Sequence, residues 1–82
     1  MLDYFESRLL FAIYKREKMS LSQIGSLFHR TLSKDRKVAL ANLIKQGLIV
    51  EKGILIENSR KASRIYLITQ EGISKASELD EI

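Results

Sequence analysis

Residues 29–64 read HRTLSKDRKVALANLIKQGLIVEKGILIENSRKASR, and this stretch decides the fold. Apolar residues recur at helical spacing up to Lys45, and after Gly47 the pattern changes to short runs rich in β-branched residues, so the stretch predicts one helix followed by a hairpin. Nine Lys and Arg stand against three Asp and Glu here, in a chain whose net charge is +4. The positive charge is therefore concentrated on one helix and one hairpin, which indicates a polyanionic partner.

The helix predicted in this stretch begins near Ser33 and ends where Gly47 supplies a C-terminal cap. Its apolar face consists of Ala39, Leu40, Leu43 and Ile44. Its opposite, basic side carries Lys34, Lys37, Ala41 and Lys45. Residues 48–50, 54–56 and 65–68 predict strands, and residues 57–64 form a polar turn with three positive charges. The hairpin tip is therefore expected to be basic.

Upstream, residues 2–18 contain no Gly or Pro and predict a first helix, which Asp3 and Glu6 would cap. One apolar stripe of this helix consists of Leu2, Phe5, Leu9, Ala12 and Ile13. A second stripe, almost opposite, consists of Tyr4, Phe11 and Tyr14. Either the small domain covers both stripes, or the aromatic one forms a homodimer interface, which we favour because aromatic residues are enriched at such contacts.

Two further helices complete the prediction. Ser20 and Ser22 each offer an N-cap for a short second helix over residues 21–28. Thr69 offers the same chemistry for a short final helix. We expect residues 1–82 to fold as a single domain, since a chain of this length builds one core.

The composition excludes several classes of function. The chain has no Cys and one His, so neither a disulfide nor a His/Cys zinc site can form, and we expect no metal and no other cofactor. It lacks a Gly-rich phosphate loop and a recognisable acid pair, so we expect neither catalysis nor a small-molecule ligand. No uncharged run approaches the roughly 18 residues of a membrane span, and charges interrupt any signal-peptide core, so we expect a soluble, cytoplasmic protein.

Two local motifs resemble a known fold family. Leu40, Leu43, Gly47, Leu48 and Ile49 match the pattern L-x-x-L-x-x-x-G-L-[IV], in which a recognition helix ends and enters a wing. Tyr66, Ile68, Thr69 and Gly72 match Y-x-[LI]-T-x-x-G, which closes the wing. Over roughly residues 5 to 76 the chain thus resembles the winged helix-turn-helix of the MarR and PadR groups of transcriptional regulators. The resemblance implies an α+β fold with three helices, a β-hairpin wing and a short C-terminal helix.

The sequence departs from those groups at several points. Arg36 stands where such helices place a small or apolar residue, so either its stem lies along the helix pair or the first turn has a different register. The wing lacks the D-x-R element of the MarR group, and we expect neither a long C-terminal dimerisation helix nor a ligand-sensing domain after it. The resemblance is therefore to a minimal regulator.

The resemblance implies sequence-specific binding of double-stranded DNA by a homodimer, with the third helix in the major groove and the wing on the adjacent backbone or minor groove. The alternative is a winged-helix module that binds an acidic partner protein and no DNA. The candidate DNA-binding residues are Arg30, Ser33, Lys34, Arg36, Lys37, Val38, Ala41, Lys45, Arg60, Lys61 and Arg64. The candidate dimer-interface residues are Tyr4, Phe11 and Tyr14.

Overall fold

The computed structural model describes residues 2–55 and 62–80, and within them the chain forms four helices and a three-stranded antiparallel sheet. The elements in chain order are α1 (Tyr4–Arg16), β1 (Lys18–Ser20), α2 (Leu21–Leu27), α3 (Ser33–Lys45), β2 (Ile49–Leu55), β3 (Ala62–Ile68) and α4 (Gln70–Asp80). This architecture confirms the predicted α+β class, with three helices, a hairpin and a closing helix.

The first two helices begin with reciprocal caps. The Asp3 carboxylate accepts a hydrogen bond from the Glu6 backbone N–H at 2.7 Å, and the Glu6 carboxylate accepts one from the Asp3 N–H at 3.4 Å. Ser20 and Gln23 repeat the arrangement at the start of α2, at 3.1 and 2.9 Å. Each pair satisfies backbone donors that have no partner inside the helix, which explains where α1 and α2 start.

Strand β1 is an element that the sequence did not predict. The predicted first helix ran to residue 18, whereas α1 ends at Arg16 because Glu17 adopts a φ of 66° and turns the chain. The next three residues pair with β3, with Met19 opposite Tyr66, and the strand order is β1-β3-β2. The short strand therefore joins the corner between α1 and α2 to the hairpin.

The two strands of the hairpin are longer than expected. Residues 48–50 and 54–56 were predicted as separate runs, but β2 is continuous because Glu51, Lys52 and Gly53 all pair with β3. Arg64 was predicted on the turn, and this was wrong, since it lies in β3 opposite Gly53. Residues 56–61, which include the predicted tip and its Arg60 and Lys61, lie outside the described residues.

The core lies where α1 meets α3, α4 and the inner face of the sheet. Leu9, Leu10 and Ile13 from α1 are fully buried there. On α3, Ala39, Leu40 and Leu43 are buried and Ile44 is partly buried, so the predicted apolar face of this helix is confirmed. Burying that face fixes the opposite side of α3 toward solvent.

A single junction ties the end of α3 to the start of α4. Gly47 has a φ of +75°, a backbone conformation that residues other than Gly rarely adopt. The Thr69 hydroxyl donates to the Gly47 carbonyl at 2.7 Å and accepts from the Gly72 N–H at 3.0 Å, which confirms Thr69 as the cap of α4. Gly72 lies against the Leu48 carbonyl so closely that a Cβ would overlap it. Both glycines of the predicted motifs are thus required by the backbone.

Candidate nucleic-acid interface

The outward side of α3 carries an exposed row of side chains. Lys34, Val38, Ala41 and Lys45 follow one another at helical spacing, and all four are exposed. Val38 is 53% exposed and adds an apolar side chain to this row. Ser33 lies exposed at the first turn, where the helix N-terminus leaves backbone donors free. The row offers amines, a hydroxyl and apolar contacts to a partner.

One edge of this row faces the hairpin across a cleft of about 200 Å³. Lys37 and Ala41 border the cleft from α3, and Glu51 and Arg64 border it from β2 and β3. The remaining lining residues, which bring the ends of α2, α3 and the sheet together, are Leu21, Leu40, Ile44 and Tyr66. One predicted cation of α3, Lys37, and one of the hairpin, Arg64, therefore border the same cleft.

Glu51 is a member of this cleft that the sequence reading missed. It lies opposite Tyr66 in the sheet register, and its carboxylate oxygen is 3.7 Å from the Arg64 Nε. Burial, followed by the negative charge of Glu51 and hydrogen bonding to it, raises the pKa of the Tyr66 hydroxyl, and Arg64 opposes the rise. The signal was present in the sequence, because side chains along a strand alternate between the two faces of the sheet. If β2 is taken as one strand, Glu51 lies on the same inner face of the sheet as the buried Ile49.

Arg36 lies between α2 and α3 and not with the outward lysines. Its Nη1 donates to the Phe28 carbonyl at 3.0 Å and to the Thr31 carbonyl at 2.6 Å. Phe28 is the C-cap of α2, and Thr31 lies in the connection to α3. A guanidinium is favoured at a helix C-terminus, where carbonyls lack intrahelical partners. Of the two positions that the sequence allowed, the stem of Arg36 thus lies along the helix pair.

The other edge of α3 faces the start of α1. Asp35, Val38 and Asn42 line a second cleft there together with Asp3 and Phe5. Asn42 is exposed, and its side-chain amide carries both a donor and an acceptor. The sequence reading omitted it, although its position one turn after Val38 on the outward side was a sufficient signal. This edge is acidic and polar where the hairpin edge is basic.

Among solved structures, the chain is similar to a MepR mutant from a multidrug-resistant S. aureus clinical isolate, with a TM-score of 0.77 over 98% of this chain. MepR is a winged-helix regulator of the MarR group. This chain has the winged helix-turn-helix fold. Helices α2 and α3 with their connection are the helix-turn-helix, and β2 with β3 is the wing.

The similarity concerns the fold, because the two sequences are 17% identical. The winged helix described here spans 56% of the length of that MepR chain. No protein-family model matches the sequence, and no curated protein matches it either.

The aromatic stripe on α1 is divided between two environments in this winged helix. Tyr14 is partly buried, with its hydroxyl 3.5 Å from the Ser77 hydroxyl on α4, so the domain itself covers this ring. Tyr4 is 77% exposed, and Phe11 is half-buried. The Arg8 guanidinium lies 5.6 Å from the centre of the Tyr4 ring, and the Lys15 amine lies 5.1 Å from the centre of the Phe11 ring. The outward part of the stripe thus alternates aromatic rings with cations.

The described part of the winged helix holds no group of three or more His, Asp or Glu side chains placed to bind a metal ion. None of the helices in residues 2–55 and 62–80 combines the length and apolarity needed to cross a bilayer.

Proposed function

We propose that this winged helix is a sequence-specific DNA-binding transcriptional regulator that acts as a cytoplasmic homodimer. The observation that carries the proposal is the common cleft of Lys37 and Arg64, beside the exposed row on α3. A recognition helix in the major groove brings the neighbouring sugar-phosphate backbone against the wing. Cations on both sides of one cleft suit that backbone.

The outward residues of α3 have distinct tasks in this proposal. Ser33 and Lys34 lie at the N-terminal turn, which enters the groove most deeply and meets base edges. Val38 and Ala41 offer apolar contact to a thymine methyl group. Lys45, three turns after Lys34, contacts the sugar-phosphate backbone of the DNA. These assignments give α3 both sequence readout and affinity.

The remaining cations position the domain. Arg30, in the connection between α2 and α3, contacts phosphate, and Arg60 and Lys61 of the wing contact the backbone or enter the minor groove. Arg64 contributes from the root of the wing. We assign Arg36 a different task from the one predicted, because its guanidinium holds the connection between α2 and α3 and acts on DNA through the angle of α3.

The dimer in this proposal forms through the outward stripe of α1, chiefly Tyr4 and Phe11, with Tyr14 at its covered edge. A two-fold dimer would set two α3 helices about 34 Å apart, one helical turn of DNA. Selection from random duplexes should therefore enrich a near-palindrome with half-sites at that spacing. Enrichment of a single half-site without a repeat would contradict the homodimer.

The central test is the salt dependence of duplex binding, measured by fluorescence anisotropy. Lys37→Ala with Lys45→Ala should make the slope of log affinity against log salt shallower by roughly two for each subunit of the dimer, because each lysine lost leaves about one phosphate unneutralised. The matched control, Lys18→Ala with Lys75→Ala, removes the same charge from β1 and α4, away from the cleft. Equal effects of the two pairs, or no duplex binding by the wild-type protein at about 50 mM salt, would contradict the proposal.

A further inference from the structure

The cleft between α3 and the wing contains a negative charge that a DNA-binding surface does not need. Glu51 borders it together with Lys37 and Arg64. A carboxylate at this place repels phosphate, and it also pairs with a cation that would otherwise be available to phosphate. Its presence therefore has a measurable cost for binding a polyanion.

The sheet holds Glu51 in this place. Glu51 and Tyr66 are directly opposite in the register of β2 and β3, and Arg64 is the diagonal neighbour on the same face of the sheet. Tyr66 is 3% exposed and forms the floor beneath the carboxylate. The Glu51 side chain is 37% exposed and that of Arg64 is 64% exposed, so the pair reaches solvent at the rim of the cleft. Arg64 is thus the more exposed partner of the pair.

We propose that Glu51 restrains the affinity of this protein for DNA by holding Arg64 and by presenting a carboxylate to the phosphate backbone. The inference rests on the proposed function and adds a regulating residue to it. When DNA binds, Arg64 leaves the Glu51 carboxylate and pairs with a phosphate. This exchange gains less binding free energy than an unpaired arginine would gain by pairing with the same phosphate. Glu51 therefore lowers the affinity for every duplex, whatever its sequence, because it disfavours contact with phosphate.

The test compares the salt dependence of Glu51→Gln with that of the wild-type protein on two unrelated duplexes. Gln keeps the volume and can still accept a hydrogen bond from Tyr66, but it releases Arg64. For each subunit of the dimer, we expect the slope of log affinity against log salt to steepen by about 0.9 and affinity to rise roughly eightfold at about 0.1 M salt, on both duplexes alike. A gain on one duplex alone would overturn the inference, because it would make Glu51 a base-reading residue.

Two controls separate local from general effects. Glu78→Gln removes the same charge from an exposed pair with Lys75 on α4, and it should raise affinity far less. Glu51→Gln combined with Arg64→Gln, compared with Arg64→Gln alone, should keep only the smaller gain that comes from the lost repulsion, and its slope should not steepen. An equal gain for Glu78→Gln, or a gain with a steeper slope that persists without Arg64, would overturn the inference.

The failure of this inference differs from the failure of the proposed function. If the wild-type protein binds duplex DNA and Glu51→Gln binds it with the same affinity and salt slope, the restraint by Glu51 is wrong and DNA binding stands. If neither protein binds a duplex at about 50 mM salt, the proposed function fails, and this inference fails with it. Thermal unfolding of each variant, which the exposed position of Glu51 should leave unchanged, shows that the comparison is between folded proteins.

Discussion

Replacing Arg36 by Met should destabilise the whole domain, although Arg36 is a polar residue near the surface. Met keeps most of the stem that lies between α2 and α3 and removes the guanidinium. The Thr31 carbonyl then loses the hydrogen bond it accepts at 2.6 Å, and the Phe28 carbonyl loses the one it accepts at 3.0 Å. The change therefore tests the two hydrogen bonds with little change in packing.

The size of the effect follows from those two hydrogen bonds. Hydrogen bonds from a charged donor contribute about 1.5–3 kcal/mol each, and partial exposure of Arg36 reduces this, so we expect a loss of about 2–3 kcal/mol in the free energy of unfolding. For a domain of this size that corresponds to a melting temperature roughly 10–20 °C lower. Arg36→Lys should fall between the two proteins, because one amine on a shorter reach cannot replace the planar group.

Circular dichroism melting curves of the purified variants provide the measurement. Lys34→Met is the matched control, because Lys34 lies two residues earlier on the exposed side of α3 and makes no such bonds. It should change the melting temperature by no more than a few degrees. If Arg36→Met melts with the wild-type protein, the guanidinium does not hold the connection between α2 and α3, and Arg36 returns to the set of residues available to DNA.

Three more changes test other parts of the structure. Gly72→Ala should cost about 3 kcal/mol or more by urea unfolding, since its Cβ would overlap the Leu48 carbonyl, whereas Gly53→Ala, which has open space around it, should be near neutral. Thr69→Val should cost about 1–3 kcal/mol by the same assay, and an unchanged midpoint would remove the hydroxyl from the junction. Phe11→Glu should give monomers by light scattering, and a wild-type protein that is monomeric at high concentration would refute the α1 interface.

Much of the fold could be predicted because its signals are local. The caps at Asp3 and Ser20 depend on residues three positions away, and the apolar face of α3 repeats within a single helix. The two wing motifs were likewise predictable, because their glycines and threonine are required by the backbone conformation at their own positions. Such features can be read along the chain with no knowledge of what lies across the domain.

The misses in the sheet have the opposite property, since they depend on partners far along the chain. Strand β1 is three residues long, too short for an alternating pattern, and it exists because β3 offers it an edge more than forty residues later. The polar Glu51 interrupted the apolar run of β2, so one strand was read as two. Charge alone likewise did not tell whether Arg36 faces outward or inward. For the site, the exposed row of α3 was predictable, whereas the pairing of Glu51 with Arg64 needed the sheet register.

Strand β1 also affects how the molecule can respond to a duplex. This strand pairs with β3 and continues directly into α2. It therefore links the helix-turn-helix to the root of the wing. This link limits changes in the spacing between α3 and the base of the hairpin. Under the proposed function, a duplex bound by both elements would have to supply the matching groove width itself, so the ease with which a DNA sequence deforms would be selected along with its bases.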